Sequence, residues 1–289
     1  MECVDRALAG VFQTLGDVRG LLDCGRTLSK QAKILSGLNY DERPVGYESI
    51  PVAHQNTFQW AFQDLQDDSE KPEHIDARLM TWLREGSGTF WVSGKPGSGK
   101  STFMKFLADS PNTASALRSW ASEKAIVIAT HFFWSAGNAI QKSDEGLLRS
   151  IRFNVLDQCP DLIPKVLQER WARAGTNQEP YQWSSSSPSL TRSELEAAIN
   201  TLKTQLDLPV QFCFFIDGLD EYSGDHHIVC QLLQGLSQAP GIKICVSSRP
   251  WNVFEESFGT ILPNKIYIHE LTRKDIRSYA SSELGEEWQ

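Results

Sequence analysis

The sequence predicts an α/β fold: a parallel sheet of about five strands with helices on both faces, preceded by a short helical N-terminal segment. Three observations carry that prediction. Largely apolar runs of strand length recur at 90–92, 125–134, 212–216, 244–246 and 265–268, rich in the β-branched and aromatic residues of buried strands. Between them lie segments of helical periodicity, long enough for the crossovers that a parallel sheet requires. The first run passes directly into a glycine-rich loop, FWVSGKPGSGKST from Phe90 to Thr102, followed by a helix through Phe103, Phe106 and Leu107.

That loop fills the pattern G-x-x-x-x-G-K-[ST] in the order strand, loop, helix, which is the context the pattern needs. Gly94, Lys95, Pro96, Gly97, Ser98, Gly99, Lys100, Ser101 and Thr102 are therefore candidate nucleotide-binding residues. Glycines allow positive φ and close approach of backbone N–H groups to phosphate. The helix N-terminus adds its positive dipole end, Lys100 reaches the β/γ-phosphates, and the Ser101 hydroxyl is a Mg²⁺ ligand. The loop predicts a site for a nucleoside triphosphate.

A chain of 289 residues, 40% hydrophobic, holds one large or two modest domains with a real core. The formal net charge of −8 gives no general electrostatic attraction to nucleic acid or to an anionic membrane. Six cysteines, Cys3, Cys24, Cys159, Cys213, Cys230 and Cys245, form no C-x-x-C pair and read as reduced thiols. With no apolar run of membrane length and no signal-peptide pattern, the expected compartment is the cytoplasm.

In chain order, Val4, Leu8, Val11, Leu15, Val18 and Leu22 recur at alternating steps of four and three. This stripe suits a coiled-coil seam or, given Gly10, Gly16 and Gly20, one or two helices at the end of a bundle. The organisation expected is a helical segment over 1–38, a linker over 39–56 containing Pro44 and Gly46, and one nucleotide-binding domain over 57–289. Inside that domain, helices are expected near 57–62, 72–84, 144–157 and 161–173. A low-complexity loop spans 175–189, and Thr191–Glu194 reads as a capping box for a helix bearing Leu195, Ile199 and Leu202. His131 reads as a core histidine. Thr272 is expected to cap a last helix bearing Ile276 and Tyr279.

The second chemical element is FCFFIDGLDE, Phe212 to Glu221. Its strand ends at Asp217, on the sheet edge where α/β folds bind ligands. Asp217 can hold Mg²⁺ through water, and Glu221 or Asp220 can orient or deprotonate an attacking water. The third is KICVSSRP, Lys243 to Pro250, whose strand delivers Ser247, Ser248 and Arg249 to the same edge. An arginine there can contact a γ-phosphate.

Together GKPGSGKST, FCFFIDGLDE and KICVSSRP, with THFFW, QKSDEGLLRS and HELTRKDIRSY, resemble the nucleotide-binding domain of the STAND signalling NTPases. The likeness is to the NACHT branch with a nephrocystin-like N-terminal ATPase region, common among fungal NOD-like receptors, and covers about residues 40–284. It implies a P-loop NTPase working as an ATP/ADP switch with Mg²⁺ in signal transduction of the innate-immunity or heterokaryon-incompatibility kind. ADP would hold it off, ATP would permit homo-oligomerisation, slow hydrolysis would reset it, and an effector protein would engage the N-terminal region. Gly94 to Thr102 match the Walker A motif, Asp217, Asp220 and Glu221 the Walker B motif with its acidic pair, and Arg249 the sensor arginine. Relatives of this type continue into a winged-helix module and repeats, whereas this sequence ends at Gln289. The expectation is a fragment or short form, without the histidine that holds ADP in such relatives.

Other classes fit less well. A small-molecule P-loop kinase needs an arginine-bearing lid, for which Arg149, Arg152 and the loop at 184–189 are the candidates, but an acidic pair after the Walker B strand suits water activation better. A GTPase needs N-K-x-D, and Asn264-Lys265-Ile266-Tyr267 lacks the aspartate; an ABC-type ATPase needs L-S-G-G-Q, and Leu35-Ser36-Gly37-Leu38 is not that. A nucleotide-gated scaffold that does not hydrolyse differs from the switch only in whether Glu221 acts.

Overall fold

The computed structural model describes residues 2–38, 43–54, 57–62, 78–174, 209–260 and 262–286. Residues 72–77 of the helix expected over 72–84, the helix expected after Thr191 and the loop at 175–189 lie outside the described residues. Helix α1 spans Glu2–Leu38 and α2 Arg43–Glu48. Then come α3 (Arg78–Arg84), β1 (Gly88–Ser93), α4 (Lys100–Asp109), α5 (Pro111–Ala121), β2 (Ala125–Phe132) and α6 (Asp144–Gln158). Short α7 (Ile163–Val166) and α8 (Gln168–Arg173) precede β3 (Val210–Asp217), α9 (His226–Ser237), β4 (Ile242–Ser248), α10 (Asn252–Phe258), β5 (Lys265–Tyr267), α11 (Ile268–Leu271) and α12 (Arg273–Glu286).

The five strands form one sheet in the order β2-β3-β4-β1-β5, and every neighbouring pair runs parallel. Strand β4 lies between β1, which feeds the glycine-rich loop, and β3, which ends at Asp217, so all three deliver their C-terminal ends to one edge. Side chains of the central strands alternate between two cores. Trp91, Phe214, Ile244 and Val246 face one, with Leu147, Ile151, Leu233 and Phe254. Phe90, Val92, Cys213, Phe215 and Cys245 face the other, with Phe103, Leu107, Leu79 and Trp82. This alternation within wholly apolar strands is why they read as continuous runs. β2 is an edge strand, and it alternates between buried and part-exposed residues where the sequence suggested cover on both faces.

Several elements differ from the sequence reading, each for a local reason. α1 is one continuous helix, one of the two forms the sequence allows, and a Cβ at Gly16, Gly20 or Gly25 would meet nothing within 4 Å; its last turns bury Ile34 and Leu38 in the first core. The polar stretch around Pro44 forms the short α2, and proline is tolerated in a first turn. The single helix expected over 161–173 is broken into a 3₁₀ turn at Pro160–Leu162, α7 and α8. Pro164 has no N–H to continue the ladder, and Leu167 leaves the helical region at φ −124 and ψ 49. The expected helix start at Thr57 is a 3₁₀ turn, Gln59–Phe62. Thr272 stands at the N-cap position of α12, its carbonyl accepting from Ile276 N at 2.9 Å, while its hydroxyl donates back to the Ile268 carbonyl at 2.9 Å.

α4, the helix behind the glycine-rich loop, is pinned from outside the sheet. Lys105 Nζ donates to the carbonyls of Tyr47 (3.0 Å) and Ile50 (2.9 Å), and Phe58 meets Phe103 edge-on at 5.1 Å. Asp275 at the start of α12 accepts from Phe58 N at 3.0 Å and Trp60 Nε1 at 3.1 Å. Among the described residues no helix is long and apolar enough to cross a membrane, and the described cysteines, from Cys24 to Cys245, are unpaired.

Candidate functional site

The loop between β1 and α4 folds as its glycines dictate. Gly97 (φ 71) and Gly99 (φ 82) occupy the left-handed region, where a Cβ is strained. Gly94 is needed for a different reason: a Cβ there would lie 2.5 Å from both Ile268 Cγ2 and Ser98 Oγ. Gly99 is also the N-cap of α4, with no side-chain cap and no acidic residue in the first turn. By contrast Ser110, Ser143 and Asp225 each cap their helices through a side-chain oxygen. The first-turn N–H groups of α4 thus retain their capacity for an external acceptor, and the dipole favours that acceptor being an anion.

Pro96, Gly97, Ser98, Gly99, Lys100, Ser101 and Thr102 form one wall of a cleft of about 200 Å³, and Gly218, Asp220, Glu221 and Arg249 form the other. That volume is below the ~300–1,000 Å³ of pockets that enclose whole small molecules, and it suits the phosphate end of a nucleotide. Lys100 Nζ lies across the loop, donating to the carbonyls of Gly94 (2.9 Å) and Lys95 (3.1 Å); burial lowers its pKa, against the opposing pull of Asp220 and Asp217. Of the loop residues expected to bind nucleotide, Gly94 is buried beneath the cleft and Lys95 is exposed outside its lining.

Asp217 sits below the cleft, 3% exposed at the end of β3. Desolvation pushes its pKa up to about 6, while hydrogen bonds from Ser101 and Ser247 favour the charged form. Ser247 Oγ donates to Asp217 Oδ1 and accepts from Gly218 N at 3.1 Å. Gly218 then turns the chain at φ 73, and a 3₁₀ turn, Leu219–Glu221, presents the acidic pair. Glu221 Oε2 accepts from Ser135 N at 2.6 Å. Asp220 engages Arg249 through both oxygens: Oδ1 accepts from Arg249 N at 3.0 Å and Oδ2 from Arg249 Nε at 2.9 Å. Ser248 Oγ accepts from Trp91 Nε1 at 2.9 Å and donates to Arg249 O at 3.0 Å, tying the end of β4 to β1.

The residues fit Mg²⁺ with a polyphosphate. A hydroxyl (Ser101) on the wall of the cleft and a carboxylate (Asp217) below it are the kinds of oxygen donor magnesium takes beside phosphate oxygens and water. Ser98 Oγ is buried without a protein partner among the described residues, at the wall of the cleft.

The pairings of Ser247 with Asp217, Asp220 with Arg249 and Glu221 with Ser135 link residues far apart in sequence. Sequence reasoning brought Ser247 to this edge without a role and missed Ser135 and the left-handed Gly218; only the DG dipeptide after an apolar run signals the last. Arg149 and Arg152, the lid candidates of a kinase, lie in α6 outside the cleft lining: Arg149 is paired with Glu145 at 3.4 Å and Arg152 is 7% exposed.

A family model described as nephrocystin 3, N-terminal, matches residues 74–249, more than half of the chain, a span that includes α3 and β1 and ends at Arg249, just after β4. No curated protein matches the chain, and no solved structure does.

Proposed function

The chain belongs to the nephrocystin 3 N-terminal family, and from that membership and the cleft we propose that it binds ATP with Mg²⁺ as the nucleotide-binding part of a NACHT-type signalling switch. The observation that carries the reading is the uncapped start of α4 behind Gly97 and Gly99, facing a cleft shared with the ends of β3 and β4. Backbone N–H groups of the loop would hold the β-phosphate, and Lys100 would exchange its two carbonyl partners for phosphate oxygens. Ser101 and, through water, Asp217 would hold the magnesium, whose charge neutralises that developing on the phosphates. Glu221 would accept a proton from the attacking water while Ser135 N–H fixes its other end, and Arg249 would contact the γ-phosphate. Hydrolysis in this reading is slow and resets the switch. Homo-oligomerisation under ATP, an effector partner and a cytoplasmic role in immunity or incompatibility rest on the resemblance of the three motifs to NOD-like receptors.

Equilibrium titration with fluorescent ATP, ADP and GTP analogues, with and without Mg²⁺, tests the reading. The chain is expected to bind the adenine nucleotides, Lys100→Ala to lose at least tenfold in affinity, and Glu221→Gln to bind normally while turning over at least ~100-fold more slowly. Undiminished binding by Lys100→Ala would remove the site assignment.

A further inference from the structure

Asp220 is the less obvious member of the acidic pair. A general base needs an oxygen that can reach water, yet its side chain is 5% exposed. Both its oxygens are occupied by one residue, Oδ1 by the Arg249 amide at 3.0 Å and Oδ2 by Arg249 Nε at 2.9 Å. A carboxylate that holds the backbone and the root of a guanidinium together fixes the plane of that group. Among the described residues no hydrogen bond or ion pair engages the two terminal nitrogens of Arg249, whose side chain is 42% exposed and lines the cleft opposite Gly97 to Thr102. Ser248, bonded to Trp91 on one side and to the Arg249 carbonyl on the other, holds the backbone beneath.

We propose that Asp220 is a positioning residue that aims Arg249 at the terminal phosphate, so that the pair sets discrimination between nucleoside triphosphate and diphosphate. This rests on the nucleotide-binding reading above and adds to it a division of labour: Glu221 handles water, and Asp220 reads phosphate number through Arg249.

The sign of the effect separates this role from simpler ones. Asp220 is an anion beside an anion site, so electrostatics alone predicts that Asp220→Asn tightens ATP and ADP together. Positioning predicts the opposite for ATP. An asparagine offers one oxygen and one NH₂, so it must set a donor against either the Arg249 amide or Nε and release the clamp. A charged hydrogen bond to the terminal phosphate is then lost, which is about tenfold or more in affinity.

The test is isothermal titration of the purified full chain with Mg-ATP and Mg-ADP, for wild type, Asp220→Asn, Arg249→Met and the double variant. Expected are a loss for ATP of about tenfold or more in Asp220→Asn, ADP binding unchanged or tighter, and no further loss of ATP affinity when Asp220→Asn is added to Arg249→Met. Tightening of both nucleotides, equal loosening of both, or an intact ATP:ADP ratio with turnover abolished would each overturn the positioning role. If Asp220→Asn does not fold, Arg249→Met decides: retained preference for ATP overturns the proposal, and loss of that preference with ADP affinity kept supports it. A wild-type chain that binds neither nucleotide overturns the function reading itself, a result distinct from all of these.

Discussion

His131 shows what burial does to a single titratable residue. Its ring is 4% exposed between β2 and α6, Nδ1 pairs with Ser150 Oγ at 3.0 Å, and Nε2 has no partner among the described residues. Desolvation lowers its pKa from 6.5 to about 3. The folded state therefore binds a proton less readily than the unfolded state, and the stability this residue allows at neutral pH is lost as pH falls below 6.5 toward 3. By pH 5 the loss is roughly 2 kcal/mol. His131→Gln is expected to flatten that part of the acid limb in urea unfolding between pH 6.5 and pH 5; parallel wild-type and variant curves would show that the imidazole is already accommodated as a cation. The sequence suggested a core histidine from the apolar residues around it, but the depth of burial and the Ser150 contact depend on α6, nineteen residues away.

At the scale of elements, the strands and the glycine-rich loop were legible because local pattern dictates them: apolar runs of the right length, and glycines where the backbone takes φ 71 and 82. What local pattern does not carry is which strand lies beside which. The order β2-β3-β4-β1-β5 inserts β4 between the strand that feeds the glycine-rich loop and the strand that ends at Asp217, and that insertion lets Ser247 bridge Asp217 to Gly218 and lets Asp220 hold Arg249. The broken helix over 161–173 was misread because its apolar spacing is helical on both sides of the Leu167 break.

Lys243 is a second feature that sequence could not give. A lysine in the central strand β4 is 0% exposed, donating to the last carbonyls of α3, Trp82 O at 2.6 Å and Leu83 O at 2.9 Å, with the Trp120 ring 4.2 Å away. Leu83 O is an acceptor that a helix C-terminus leaves open, and Trp82 O, which already accepts from Gly86 N at 3.0 Å, takes the lysine as a second donor. Lys243→Met keeps the stem and removes the donor, so it is expected to destabilise the fold by about 2 kcal/mol in chemical denaturation. A change within 0.5 kcal/mol would mean those carbonyls find other partners.

For the whole molecule, the parallel sheet gathers the ends of three strands at one edge, and the start of α4, which has no side-chain cap, opens onto the cleft at that edge. The Walker A resemblance pointed to this loop, and the structure adds the opposing wall of Gly218, Asp220, Glu221 and Arg249. The site's chemistry is thus distributed over β1, β3 and β4, and a ligand held there would brace the sheet centre against both cores. Such a ligand binds only the folded state and must raise its stability by RT ln(1 + [L]/Kd).

The most direct measurement is thermal unfolding of the purified chain with Mg²⁺ and ATP at about 100-fold excess over the titrated Kd, beside Lys100→Ala in the same buffer. The account predicts stabilisation of ~2.7 kcal/mol for the wild type and close to none for the variant. An unfolding curve unmoved by ATP, or moved equally in both proteins, would contradict the claim that this loop is a nucleotide site.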